Sequence, residues 1–277
     1  MKRWAETWLL WLLQLELAGV LLYKSGGSAT WWGVVVPYAV LLADSIWRQK
    51  DPKCRLQNFY MALILFLWLG LISPWGLGVI AKLTPWTMDG ELRSLDLATH
   101  LDGFALARFL ARHHLGLATA LAYDALPLAF AVAWIIDRSY DTLWTALIGA
   151  ALCIPVQFLI PACGPRYAFS NWPWGEVAAN PSSYATMPRN CMPSMHVGWA
   201  LLIAFNARGT WTRLGFSLFA LVTCLATVGS GEHYTIDAVV AVPFAVAVQV
   251  LYRVCRRQKP RSKKQEVAEK TLAVVGK

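Results

Sequence analysis

Long apolar runs separated by short polar joints set the pattern of this 277-residue chain. Eight runs read as bilayer-crossing segments: 8–23, 30–47, 59–82, 116–136, 142–162, 195–207, 213–229 and 236–253. About 20 mostly apolar residues cover the ~30 Å hydrocarbon layer. None of the runs alternates apolar with polar positions as a barrel strand would, and a backbone in hydrocarbon must satisfy its own N–H and C=O groups, so all are taken as helices. The pattern predicts an all-α, polytopic transmembrane helix bundle: a six-helix core, two N-terminal helices and an interfacial amphipathic segment. It forms one integral membrane domain over residues 1–258, with the core at about 59–253, followed by a basic tail, 259–277, expected to be disordered. The run 8–23 follows two basic residues as a secretory leader would, but no small-residue cleavage site follows cleanly, and it is read as a retained span.

Composition agrees with that solvent. Hydrophobic residues make up 57% of the chain and charged ones 15%, with a mean hydropathy of +0.45, beyond what a soluble core of this length carries. Placing both termini in the cytoplasm puts 18 of the 25 Lys and Arg residues on the inner side. That bias satisfies the positive-inside rule and leaves the histidine clusters described below on the extracytoplasmic face. The net charge of +9 is concentrated in the tail "RVCRRQKPRSKK", which can lie against anionic lipid and calls for no nucleic acid. Compact loops favour a bacterial inner membrane.

Two outer segments are long enough to matter. Residues 83–114 carry one apolar stripe at Leu97, Leu101 and Phe104 and another at Leu106, Phe109 and Leu110. At 100° per residue the stripes point in different directions, which predicts a helix broken near Gly103 and lying on the bilayer surface as a cap. Residues 161–194, rich in Pro, Gly, Asn and Trp, read as an ordered loop over the mouth of the bundle. Cys163 and Cys191 flank it on an oxidising face, so a disulfide pinning the loop is expected there. Cys54 and Cys255 fall inside, and Cys153 and Cys224 fall within spans. No zinc-type spacing is present, and neither metal nor cofactor is expected.

The chemistry sits at the start of the last spans. In "RNCMPSMHVGWALLIAF" His196 precedes an apolar run, and in "GEHYTIDAVVAV" His233 and Asp237 stand four apart at the start of another. A helix beginning near His233 would place both on one face, the carboxylate holding one ring N–H and leaving the other nitrogen as nucleophile. The chain runs down one helix and back up the next between His196 and His233, so both histidines return to one membrane face. Two imidazoles suit phosphoryl transfer, one attacking phosphorus and the other moving the leaving-group proton. Ser194, Arg166, Arg189 and Tyr234 are the candidate substrate-binding residues, with the helix-start N–H groups and the arginines suited to the equatorial phosphate oxygens.

These residues resemble the type 2 phosphatidic acid phosphatase superfamily over roughly residues 142–253. "MPSMH" is similar to its second signature, usually Pro-Ser-Gly-His, and "HYTID" to the His-x-x-x-Asp end of its third. The resemblance implies His233 as nucleophile, Asp237 as its orienting partner, His196 as general acid/base, and Ser194 and Arg166 near the phosphate. The chain departs from the pattern where the family keeps cations. Leu159 stands where the first signature has Lys, and Ala226 and Thr227 stand where the third has Ser-Arg. A sparse cradle suits a singly charged phosphodiester better than a monoester. In this the chain resembles the inositol phosphorylceramide and sphingomyelin synthases, an inositolphosphotransferase-like branch. The implied activity is a membrane lipid phosphotransferase, placed ahead of a lipid phosphate (phosphatidic acid-type or polyprenyl) phosphatase and of a non-enzymatic scaffold or transporter.

Overall fold

The computed structural model describes residues 30–48, 51–65, 67–68, 73–173, 187 and 189–257. The expected span at 8–23 and the basic tail lie outside the described residues. Among those described, every regular element is a helix: α1 Thr30–Trp47, α2 Pro52–Leu65, α3 Ser73–Leu83, α4 Asp89–Ala98, α5 Gly103–Arg112 and α6 Gly116–Asp124, then α7 Leu126–Asp137, α8 Asp141–Leu159, α9 Pro165–Ala168, α10 Met195–Asn206, α11 Thr210–Gly229 and α12 Thr235–Arg257. The all-α expectation holds. Among the described residues, three helices are long and apolar enough to cross a membrane: α8, α11 and α12. The run read as 116–136 is two helices, α6 and α7, bent by 48° and able to count together as a fourth crossing. Pro127 lies in the first turn of α7, and its missing N–H and fixed φ explain why the helix breaks there.

The bundle is built around α10, which packs against α7, α8, α11 and α12. Small residues face inward. On α12, Ala238, Ala241, Ala245 and Val248 are buried at helical spacing, while Val239, Val242, Val246 and Val250 face out. On α8, Gly149 lies against Met195, Leu202 and Val248, and Leu152, Ile154 and Leu159 are exposed. Small residues within and branched ones without is the arrangement expected when lipid rather than water surrounds a bundle, because close backbone approach then drives packing. An aromatic trio, Trp68, Phe130 and Trp199, fills the wider part of the core, with the Trp199 indole N–H donating to the Ala146 carbonyl at 3.1 Å.

At the end of α10 away from His196, polar side chains are tied to one another. Asn206 donates to Thr145 Oγ1 and accepts from Gln249, and Asp141 accepts from Tyr252 and Arg256. A second network joins Asp44, Asn58, Trp134 and Arg138.

The segment 83–114 breaks as expected. His100 adopts a left-handed φ of 58°, and Asp102 caps α5 by accepting the Phe104 N–H at 2.9 Å. The buried line of α4 is not its apolar stripe. Leu97 is half exposed, as is Phe109 on α5, while the buried line on α4 is Asp89, Leu92 and Asp96. An acidic face is turned to the protein because unpaired backbone N–H groups await it there.

Candidate active site

Three turns converge at one end of the bundle: residues 161–164 leading into α9, residues 191–194 leading into α10, and residues 230–234 leading into α12. Backbone hydrogen bonds stitch them together: Cys191 N–H to Ala162 O at 3.3 Å, Arg166 N–H to Gly231 O at 3.0 Å, and Ser194 N–H to Asp237 O at 3.2 Å. Two glycines permit the approach. Gly164 has φ +101°, and a Cβ there would fall 2.4 Å from the Glu232 carbonyl oxygen; Gly231 has φ +78°, and a Cβ there would fall 2.4 Å from the Trp172 indole nitrogen.

The catalytic candidates meet in this turn cluster. The rings of His196 and His233 lie 6.1 Å apart, centroid to centroid, at 61°. Tyr123, at the end of α6, stacks on His196 with centroids 3.8 Å apart. The bend between α6 and α7 places that tyrosine at the site.

One expected contact is different. His233 lies in the turn before α12 rather than on it, and its Nδ1 is 2.9 Å from the Cys191 carbonyl oxygen. Asp237 Oδ2 is 3.6 Å from the same nitrogen and accepts the Tyr234 N–H at 2.8 Å. A carbonyl can only accept, so Nδ1 carries the proton and Nε2 keeps its lone pair. The tautomer assigned to the carboxylate is therefore set by a backbone carbonyl. Asp237 is fully buried, and its Oδ1 has no hydrogen-bond partner.

The other expected site residues divide. Ser194 is buried and caps α10, its hydroxyl accepting the Val197 N–H at 3.5 Å. Arg166 lies on α9 beside the turn that carries His233, where its Nη1 donates to Glu232 Oε1 at 2.7 Å, and the Tyr167 hydroxyl reaches both Glu232 oxygens at 3.1 Å. Arg189 is buried in the loop, its Nη1 against Cys163 Sγ and donating to the Met187 carbonyl at 3.2 Å. Tyr234 is not presented to a substrate. It is 1% exposed, and its hydroxyl donates to Asp89 Oδ1 at 2.8 Å, a position in which burial and that carboxylate push its pKa up.

The expected disulfide is not formed: Cys163 and Cys191 are both free thiols. Arg189 occupies the Cys163 sulfur, and Cys191 Sγ donates to the Glu232 carbonyl at 3.3 Å. Burial pushes the Cys191 thiol well above its ordinary pKa, which keeps the proton that this hydrogen bond needs. Cys191, His233 and Asp237 each offer one ligand atom within 4.8 Å of the others, the one such group among the described residues where a metal ion could be held.

The half-buried His196 and the buried His233 and Asp237 lie together at one end of a bundle packed for lipid, an arrangement that suits phosphoryl transfer. Consistent with this, a family model described as the PAP2 superfamily matches residues 90–251, more than half of the chain, and the chain belongs to that superfamily. The match begins well before the signature residues and takes in most of α4 with α5, α6 and α7. No curated protein and no solved structure matches the chain. Members of the superfamily act as phosphatases or phosphotransferases on lipid-like phosphates.

Proposed function

We propose that the protein is a lipid phosphotransferase that moves a phosphorylated head group from a phosphodiester lipid to an alcohol acceptor through a phosphohistidine at His233, on the extracytoplasmic face. The Arg166–Glu232 pair carries this reading. Of the cations that mark the family's phosphate cradle, Arg166 is the one this chain keeps, and a carboxylate one residue from the nucleophile already neutralises it. Thr227 is fully buried where the family places arginine, and Leu159, where it places lysine, is 71% exposed at the end of α8. A dianionic monoester would meet Glu232 with little positive charge to offset it. A singly charged diester pays less of that repulsion.

In the first step His233 Nε2 attacks phosphorus. The N–P bond forms, the P–O bond to the leaving lipid breaks, and His196 delivers a proton to the departing oxygen. In the second step His196 takes the proton of the acceptor hydroxyl. The alkoxide oxygen bonds to phosphorus, and the N–P bond breaks to regenerate His233. Nδ1–H on the Cys191 carbonyl holds the ring, and Asp237 stabilises the positive charge that the ring gains. Backbone N–H groups at the start of α10 face the developing charge with the positive end of a helix dipole.

The test uses purified protein in detergent with a fluorescent phosphodiester lipid and fluorescent phosphatidic acid, each with and without an excess of a long-chain alcohol. Faster diester turnover, with product diverted to a new diester when the alcohol is present, supports the proposal. Faster monoester hydrolysis that ignores the alcohol replaces it with a phosphatase.

A further inference from the structure

The surface helix α4 carries two buried carboxylates that the scheme above leaves unused. Asp96 is 2% exposed; its Oδ2 accepts the Thr235 N–H at 2.9 Å and its Oδ1 the Ile236 N–H at 2.8 Å. These are first-turn donors of α12, which an N-cap residue just before a helix would ordinarily satisfy. Here the acceptor comes from a helix 139 residues earlier in the chain. Seven positions before it on the same face, Asp89 is 3% exposed. Its Oδ1 accepts the Cys163 and Gly164 N–H groups, each at 3.1 Å, and the Tyr234 hydroxyl at 2.8 Å. The Met88 N–H adds a bond to the Pro161 carbonyl at 2.7 Å.

We propose that Asp96 and Asp89 are positioning residues of the phosphoryl-transfer site, Asp96 fixing the helix start that sets Asp237 behind His233 and Asp89 fixing the loop that presents Arg166. The inference rests on the phosphotransfer reading of His233. Its geometric basis is continuity. The Asp237 carboxylate accepts the N–H of Tyr234, so any rotation of the first turn of α12 moves the nucleophile and the carboxylate together. Asp96 grips that turn by the next two N–H groups in sequence. Asp89 joins Tyr234, one residue from the nucleophile, to the turn that leads into α9 and Arg166. Leu92, buried between the two carboxylates, keeps the same helix face against the site.

Burying carboxylates is costly, and burial raises the Asp96 pKa against the two N–H groups that lower it. A cap serving stability alone needs no buried acid from a distant helix. A strut that sets relative positions of reacting groups does, because a misplacement of about 1 Å can cost on the order of 100-fold in rate.

The experiment compares wild type, Asp96→Asn, Asp89→Asn and Tyr234→Phe in detergent with the same two fluorescent lipids, reading kcat, KM, thermal midpoint and the rate of covalent phosphate labelling. Thr235→Pro is added because it deletes one donor to Asp96 at a first helical position, where proline is tolerated. Asp96→Asn is expected to lower kcat and the labelling rate by about 10- to 100-fold with KM within about 3-fold, and Thr235→Pro to do the same more weakly. Asp89→Asn is expected to raise KM by about 10-fold with kcat nearly kept, and Tyr234→Phe to raise it by a smaller factor. The proposal is overturned if the variants lose folded protein but keep wild-type kcat and KM per folded molecule. His233→Ala separates the two levels. If it still labels, the nucleophile assignment itself fails; if it is silent while Asp96→Asn labels at the wild-type rate, the positioning role alone fails.

Discussion

His233 Nδ1 lies 2.9 Å from the Cys191 carbonyl oxygen and 3.6 Å from Asp237, so a main-chain group, not the carboxylate, fixes the tautomer of the proposed nucleophile. That division of labour separates two effects of Asp237 that a triad would combine. Asp237→Asn keeps the ring in place and removes the charge behind it. The expected result is a kcat lowered by about 100-fold with KM nearly unchanged, measured by steady-state turnover in detergent. A fall in KM affinity with kcat preserved would place Asp237 on the substrate instead.

The Arg166–Glu232 pair sets the charge that a phosphate meets. Glu232→Gln removes one negative charge beside the nucleophile and is expected to raise kcat/KM for phosphatidic acid by about 10-fold, on the scale of one charge-assisted hydrogen bond of about 1.5–3 kcal/mol. Turnover of the phosphodiester should change by less than about 3-fold. Equal gains for both lipids would mean that Glu232 does not discriminate between them.

Tyr123 stacks on His196 at 3.8 Å from a helix end that nothing in the signature residues indicates. Tyr123→Phe keeps the ring and should keep the rate, whereas Tyr123→Ala frees the imidazole to rotate. A kcat lowered by about 10-fold in the alanine variant alone is expected, the size of a partial loss of general acid–base catalysis.

How much of this was legible in the chain follows from the physics of each element. Apolar runs reported the bundle because lipid imposes long hydrophobic helices, and His196, His233 and Asp237 were legible because they interrupt such runs with titratable groups. The bend at Ala125 was not read, although Pro127 marked it, because one long apolar run hides a change of direction. Asp89 and Asp96, two turns apart on α4, were not singled out, for a different reason. Their partners are main-chain N–H groups in turns far along the sequence, and periodicity carries no information about those. The Cys191 carbonyl is unreadable in the same way, since every residue has one. The disulfide failed because membrane side brings two cysteines to one face but does not aim their sulfurs.

The surface segment offers a pH test. Burial alone would raise the pKa of Asp102, but the Arg93 guanidinium and the Phe104 N–H hold it below the ordinary value. A depressed carboxylate pKa contributes stability that is present above the unfolded value of about 3.9 and is lost as pH falls through the lower folded value. Asp102→Ala, which also removes the cap of α5, is expected to cost about 1 kcal/mol near neutrality. The difference in thermal midpoint from wild type should narrow as pH is lowered below about 4, and a gap independent of pH would show that the charge of Asp102 contributes nothing.

The central claim is that His233 becomes covalently bonded to phosphorus during turnover. The direct measurement is rapid quenching at alkaline pH with a phosphorus-labelled lipid, followed by proteolysis and mass spectrometry of the peptide containing residues 231–242. The expected result is an acid-labile label on His233 that appears within one turnover, is absent from His233→Ala, and forms more slowly in His196→Ala, which lacks the proton donor to the leaving oxygen. Undiminished turnover by His233→Ala, or a label on any other residue, would contradict the account.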